Sequence, residues 1–268
     1  MNTAIKKTLL PALVLPLALG VQAASAAPVT SWAYSVGNTL ILNDFSTGDG
    51  AVTGTGTNKL EWGTRPDQSS VEINDVAGNG LLTDGDPVAG GTFIHNNYVI
   101  SLSDAALLSF DLVSMLTLTP EDPVGPAQTP LSTTFASFFK ETPNVSGGCF
   151  DGSVSTCDDI FTVGDPEGLG GTPMDGGFEF SQSFSYDGYT YDVFLGIAGL
   201  TALSSEACAA AKAGEGCVGL ITEEDQANSF DTSFRITARP VPEPGTLALL
   251  GLGLAGLGLV RRRNNSTA

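Results

Sequence analysis

The chain has 268 residues, 42% of them hydrophobic, and a formal net charge of −18 from 11 basic and 29 acidic side chains. A field of that sign repels nucleic acid and anionic lipid, which excludes nucleic-acid binding and favours divalent cations or polycations as ionic partners. A single histidine in the whole chain argues against a histidine-based metal centre.

Residues 1–26 read as a secretory signal peptide. Lys6 and Lys7 form the charged region, Leu9 to Val21 the apolar region, and Ala24-Ser25-Ala26 an Ala-x-Ala cleavage site. Cleavage after Ala26 leaves Ala27 as the new N-terminus. Cleavage after Ala23 is the alternative, whereas Pro28 disfavours the bond after Ala27. The apolar stretch is too short for a transmembrane helix.

Residues 27–239 are long enough for one domain with a substantial core. Five basic residues lie in the two end segments but only one acid, so the domain keeps 6 basic and 28 acidic residues, a net charge of about −22. Strands are expected at Thr39–Leu42, Val71–Ile73, Tyr98–Leu102, Leu107–Leu118, Leu131–Phe139 and Phe230–Ala238, separated by Gly, Asp, Asn and Pro clusters such as 84–87 and 120–123. Phe178 to Ile197 reads as a hairpin turning at Asp187-Gly188. Ser204 to Ala213 is the one helical stretch, capped by Ser204. The pattern predicts an all-β, antiparallel, jelly-roll-like β-sandwich with long loops and one short helix.

Four cysteines in an exported chain imply disulfides, with three pairings open. Local pairing, Cys149 with Cys157 and Cys208 with Cys217, is favoured because each pair brackets a turn-rich segment.

The tail carries the most specific motif. Arg239-Pro-Val-Pro-Glu-Pro-Gly245 reads as a rigid extended stalk following a strand that ends at Ala238, since prolines fix φ and hold their neighbours extended. An apolar run from Thr246 to Val260 follows, then Arg261, Arg262 and Arg263, and residues 264–268 complete a cytoplasmic tail under the positive-inside bias. Fifteen apolar residues span roughly 22 Å as a helix, short of a hydrocarbon core of about 30 Å. A transient signal is therefore favoured over a stable single-span anchor or a buried core helix.

Val241, Pro242, Glu243, Pro244 and Gly245, with the apolar run and the arginines, resemble the PEP-CTERM sorting signal of Gram-negative bacteria. The resemblance implies a sorting signal at 240–263, removed by a membrane-embedded exosortase during transient inner-membrane insertion. The body resembles the THxN family and the choice-of-anchor K-type domain through Leu60–Thr64, Ile94–Asn97, Phe139–Asn144, Cys157–Phe161 and Asp187–Tyr191. It departs from that pattern at Ile94, where a threonine is usual, and at the extra Arg65 before Pro66. The resemblance implies an extracellular β domain and transfers no catalytic residue.

His95, with Asn97 beside it, is the one candidate histidine base, but a polar brace at a sandwich corner explains it as well. Trp62 offers either a sugar-stacking platform or a core tryptophan. His95, Asn97 and Trp62 are the candidate ligand contacts. No catalytic residue and no cofactor is expected. Ca²⁺ is the one ion considered, at the acidic loops Asn43/Asp44/Asp49, Asp84/Asp86 or Asp158/Asp159, though none follows an EF-hand spacing. The expected protein is a non-enzymatic one, sorted to the cell surface or an extracellular polysaccharide matrix. Its partners are signal peptidase, exosortase, and matrix glycans or envelope proteins. The rival readings are a carbohydrate- or Ca²⁺-binding lectin-like module and a secreted hydrolase.

Overall fold

Side chains that alternate between oil and water with period two build this molecule, because successive strand residues face opposite sides of a sheet. In a computed structural model, which describes residues 27–144, 149, 153–154, 157–242, 252–254 and 256–257, the alternation produces two stacked antiparallel sheets. The signal-peptide residues, including Ala24 and Ala26, lie outside the described residues, as do Glu243, Pro244, Gly245, Arg261, Arg262 and Arg263. Among the described residues no helix is long and apolar enough to cross a membrane. Residues 252–254 and 256–257 of the tail are helical.

The first sheet contains β1 (Ser31–Phe45), β4 (Val76–Leu82), β6 (Leu107–Asp122), β7 (Leu131–Lys140), β8 (Asp159–Val163), β12 (Thr201–Ala202) and β13 (Val218–Thr222). Their order is β12-β13-β8-β7-β6-β1-β4. The second contains β2 (Lys59–Trp62), β3 (Ser69–Ile73), β5 (Val88–Asn97), β9 (Thr172–Met174), β10 (Gly177–Tyr186), β11 (Tyr189–Ala198) and β14 (Gln226–Pro240), in the order β2-β3-β5-β14-β11-β10-β9. The sheets face each other as a sandwich, the fold class expected from the sequence.

Two apolar clusters fill the space between the sheets, one behind the other along the strands. The larger includes Leu40, Trp62, Phe93, Phe110, Phe135, Phe139 and Phe161. The smaller gathers Trp32, Leu81, Leu118, Tyr191, Phe234 and Ile236. Trp32 meets Tyr191 edge-on at 5.0 Å, the geometry in which one ring's positive edge meets the other's negative face.

The hairpin forms as expected, with Tyr186 opposite Tyr189 and both turn residues, Asp187 and Gly188, at positive φ (47° and 80°), the signature of a type I′ turn. Helix α1 is Ser205–Ala210, and Ser204 Oγ accepts the Ala207 N–H as its cap. It stops at Lys212, whose φ of 59° leaves the helical region. Both local disulfides are present, Cys149–Cys157 and Cys208–Cys217.

Two expectations fail. Tyr98–Leu102 is not a strand, and the strand precedes it as β5. Side chains occupy the backbone groups that a ladder would use: Ser69 Oγ donates to Tyr98 O and accepts from Tyr98 N, and Asp104 Oδ2 accepts from Ser101 N. The last strand does not end at Ala238 either. β14 stays paired through Pro240 opposite Tyr189, and Val241 N donates to Gly188 O at 2.9 Å. The hairpin tip thus holds the first residues expected of a free stalk.

Candidate functional site

At one end of the sandwich, strand ends from both sheets converge. In β7 the inward positions are Phe135, Ser137 and Phe139, and the next in that rhythm is Glu141, one residue past the strand. Asp159 opens β8, every residue of which is buried. Thr222, paired with Asp159, closes β13, and the turn after it carries Glu224 across to β14 in the other sheet. From that second sheet come Trp62 at the end of β2, and His95 and Asn97 at the end of β5.

One carboxylate oxygen each from Glu141, Asp159 and Glu224 lies within 4.8 Å of the others. Trp62 Nε1 donates to Glu141 Oε2 at 2.9 Å, and Thr142 N donates to Asp159 Oδ1 at 2.7 Å. Asn97 is hydrogen-bonded to Glu224 and donates its Nδ2 to Thr222 O at 3.1 Å. With its amide nitrogen turned toward Glu224, the orientation that satisfies both groups, Asn144 donates to the two carboxylate oxygens at 2.8 and 3.1 Å. Glu141 Oε1, Asp159 Oδ2 and Asn97 Oδ1 are enclosed and meet no ordinary donor, while the Glu141 and Asp159 side chains lie within hydrogen-bond reach of each other, where one shared proton would join them.

Burial dominates the electrostatics, because a charge removed from water is costly. It pushes the Glu141 carboxyl up to about 8 despite the Trp62 hydrogen bond, with the Glu224 charge adding to the rise. Burial, then the Glu141 charge, raises Asp159 well above the carboxylate range. Burial takes Glu224 to about 7 against the help of Asn97.

The three residues singled out as ligand contacts, Trp62, His95 and Asn97, are all fully buried at this end. The Trp62 ring stacks on His95 at 5.9 Å, and Phe139 meets His95 edge-on at 5.0 Å. His95 Nδ1 lies 2.8 Å from Thr222 Oγ1, and that hydroxyl is 3.2 Å from Asp159 O. If the hydroxyl proton goes to the carbonyl, the imidazole must be the donor at Nδ1, and Nε2 keeps its lone pair. Burial holds the His95 pKa at about 3, so the ring is neutral. It stands beside the acidic cluster without joining it.

Of the acidic loops, only Asp158/Asp159 contributes, through Asp159. Asn43 Nδ2 bonds Asp111, Asp44 accepts its neighbour's N–H, and Asp84 sits in a turn at φ 58°. Glu141 and Glu224 are the members that sequence reading passed over. The signal for Glu224 was the run Glu223-Glu224-Asp225 between two apolar strands, and that for Glu141 was the strand rhythm of β7, which places it inward. A cleft of about 540 Å³ opens alongside, lined among others by Arg65, Asp104, Lys140, Glu141 and Asn144.

No curated protein and no solved structure matches this chain. The resemblance of the body to the THxN and choice-of-anchor K-type domains finds no support in these comparisons. The family model of the PEP-CTERM protein-sorting motif matches residues 240–263, immediately at the end of β14. The chain therefore carries a PEP-CTERM sorting signal, and with it the assignment of an exported protein sorted by exosortase.

Proposed function

We propose that the sandwich is a non-catalytic module that exosortase-dependent sorting delivers to the cell surface or the extracellular polysaccharide matrix. The sorting motif directly after the last strand carries this reading. The burial of His95 supports it, because a general base must come within hydrogen-bond reach of its substrate and this ring is shut behind Trp62 and Phe139. Signal peptidase and exosortase are its processing partners, and matrix glycans or envelope proteins its final ones.

Fractionation of cells with and without an active exosortase tests the reading. The expected result is a chain beginning at Ala27 or Ala24 and lacking the 246–263 segment in the outer or extracellular fraction. Full-length protein that persists in the inner membrane of exosortase-active cells would overturn it in favour of a plain anchor.

A glycan-binding role is the second reading, favoured by the cleft beside Glu141 with Arg65 and Lys140 on its wall. Retention of the exported protein on a glycan array, lost on charge removal at Lys140, would separate it from a purely structural role.

A further inference from the structure

The geometry points to a divalent-cation site, specific for Ca²⁺, formed by Glu141, Asp159 and Glu224 with the side-chain oxygen of Asn97 where the two sheets meet. Three carboxylates brought within 4.8 Å by three separate segments are a costly arrangement for a protein to keep without a cation. Neither Glu141 nor Asp159 forms an ion pair among the described residues. Acidity alone would not make a site. Asn97 provides the independent observation: it is fully buried, bonded to Glu224, and its Oδ1 accepts nothing. A buried amide oxygen left without a donor on a side chain bonded to Glu224 adds nothing to a proton-sharing pair and is available to a metal ion.

The donor set selects the ion. All the available atoms are hard oxygens, no histidine nitrogen belongs to the cluster, and the four cysteines are in disulfides, which leaves nothing to favour zinc or copper. Carboxylates that bind through one or two oxygens, together with the amide oxygen, can supply the six to eight ligands of Ca²⁺. Mg²⁺ demands a strict octahedron and keeps its waters, which a buried cluster does not accommodate. The adjacent cleft reaches Glu141 and gives an ion its way in. Such a site would tie β7, β8 and the β13–β14 turn together, and so join the two sheets at this end.

The exported, processed protein, stripped with EDTA, tests the site with Ca²⁺ and Tb³⁺ as probes. Calorimetry should give one Ca²⁺ per chain with a Kd of about 10⁻⁴ M or tighter, with Mg²⁺ at least tenfold weaker. At a hundredfold excess over Kd, Ca²⁺ should raise Tm by about 5–10 °C. Trp62 donates directly to a ligand carboxylate while Trp32 lies in the other apolar cluster, so Tb³⁺ emission excited through tryptophan should appear and be displaced by Ca²⁺. Asp159→Asn with Glu224→Gln should weaken Ca²⁺ at least tenfold. Should that variant fail to fold, Trp62→Phe decides: calorimetric Ca²⁺ binding should survive and Tb³⁺ emission disappear. Undiminished emission in Trp62→Phe would place the ion elsewhere. Absence of Ca²⁺ heat together with an EDTA-insensitive Tm would mean that Glu141 and Asp159 merely share a proton. Either result overturns the proposal.

Discussion

Glu141, Asp159 and Glu224 ionise far less readily in the fold than in the open chain, and His95 protonates far less readily, so the two kinds of group pull stability in opposite directions. In EDTA, unfolded glutamate ionises near 4.5, while Glu141 and Glu224 keep their protons to about 8 and 7. Across that window the native state binds more protons than the unfolded one, so stability falls as pH rises. His95 acts oppositely: the unfolded ring gains a proton below 6.5 and the native ring only near 3, so stability falls as pH drops through that range. Where the windows overlap, the raised carboxyls outnumber the one imidazole. The cation-free protein should therefore melt highest at about pH 4, below the overlap, and lose stability from there toward pH 8. Melts from pH 3 to 9 would check this. The paired substitution Glu141→Gln with Asp159→Asn should flatten the alkaline slope, which self-repulsion of an acidic domain would not allow. An unchanged slope in that variant would assign the effect to overall charge.

At the scale of elements, the β10–β11 hairpin and the Cys208–Cys217 loop yield separate expectations. Gly188 has a φ of 80° and open space around an added Cβ, so Gly188→Ala carries only the backbone penalty, about 1–2 kcal/mol in urea unfolding. A much larger loss would mean that the turn also anchors the end of β14. The Cys208–Cys217 bond closes a loop of sequence separation 9, and Cys208→Ser with Cys217→Ser should cost about 2–3 kcal/mol by loop entropy. These elements were legible in the sequence because their determinants are local: an Asp-Gly turn between aromatic alternations, a serine before alanines, cysteines bracketing a short loop. Tyr98–Leu102 misled for the opposite reason. Its apolar residues suit a strand, but Ser69, 29 residues away, and Asp104 take its backbone bonds. The acidic cluster was hidden by the same kind of distance. Thr222 meets Asp159 in one sheet while Gln226 meets Asn97 in the other, and no local pattern announces either register.

For the whole molecule, the decisive strand is β14, which begins beside Glu224 and ends at the sorting motif. Replacing Pro242 and Pro244 with alanine should leave the fold intact, since the last paired residue is Pro240 and the last backbone contact comes from Val241. In cells the same change should block tail removal and strand the chain in the inner membrane, as immunoblotting of membrane fractions would show. Normal release would remove the prolines from the recognition element. Val29 lies at this same end, for Val29 N donates to Tyr191 OH and Thr83 Oγ1 to Val29 O. Fourteen strand steps of about 3.3 Å separate Gln226 from Pro240, so β14 is a spacer of roughly 45 Å. The acidic cluster and the sorting motif therefore lie at opposite ends of one strand, so substitutions at the cluster should leave tail processing unchanged, and substitutions in the motif should leave the cluster unchanged.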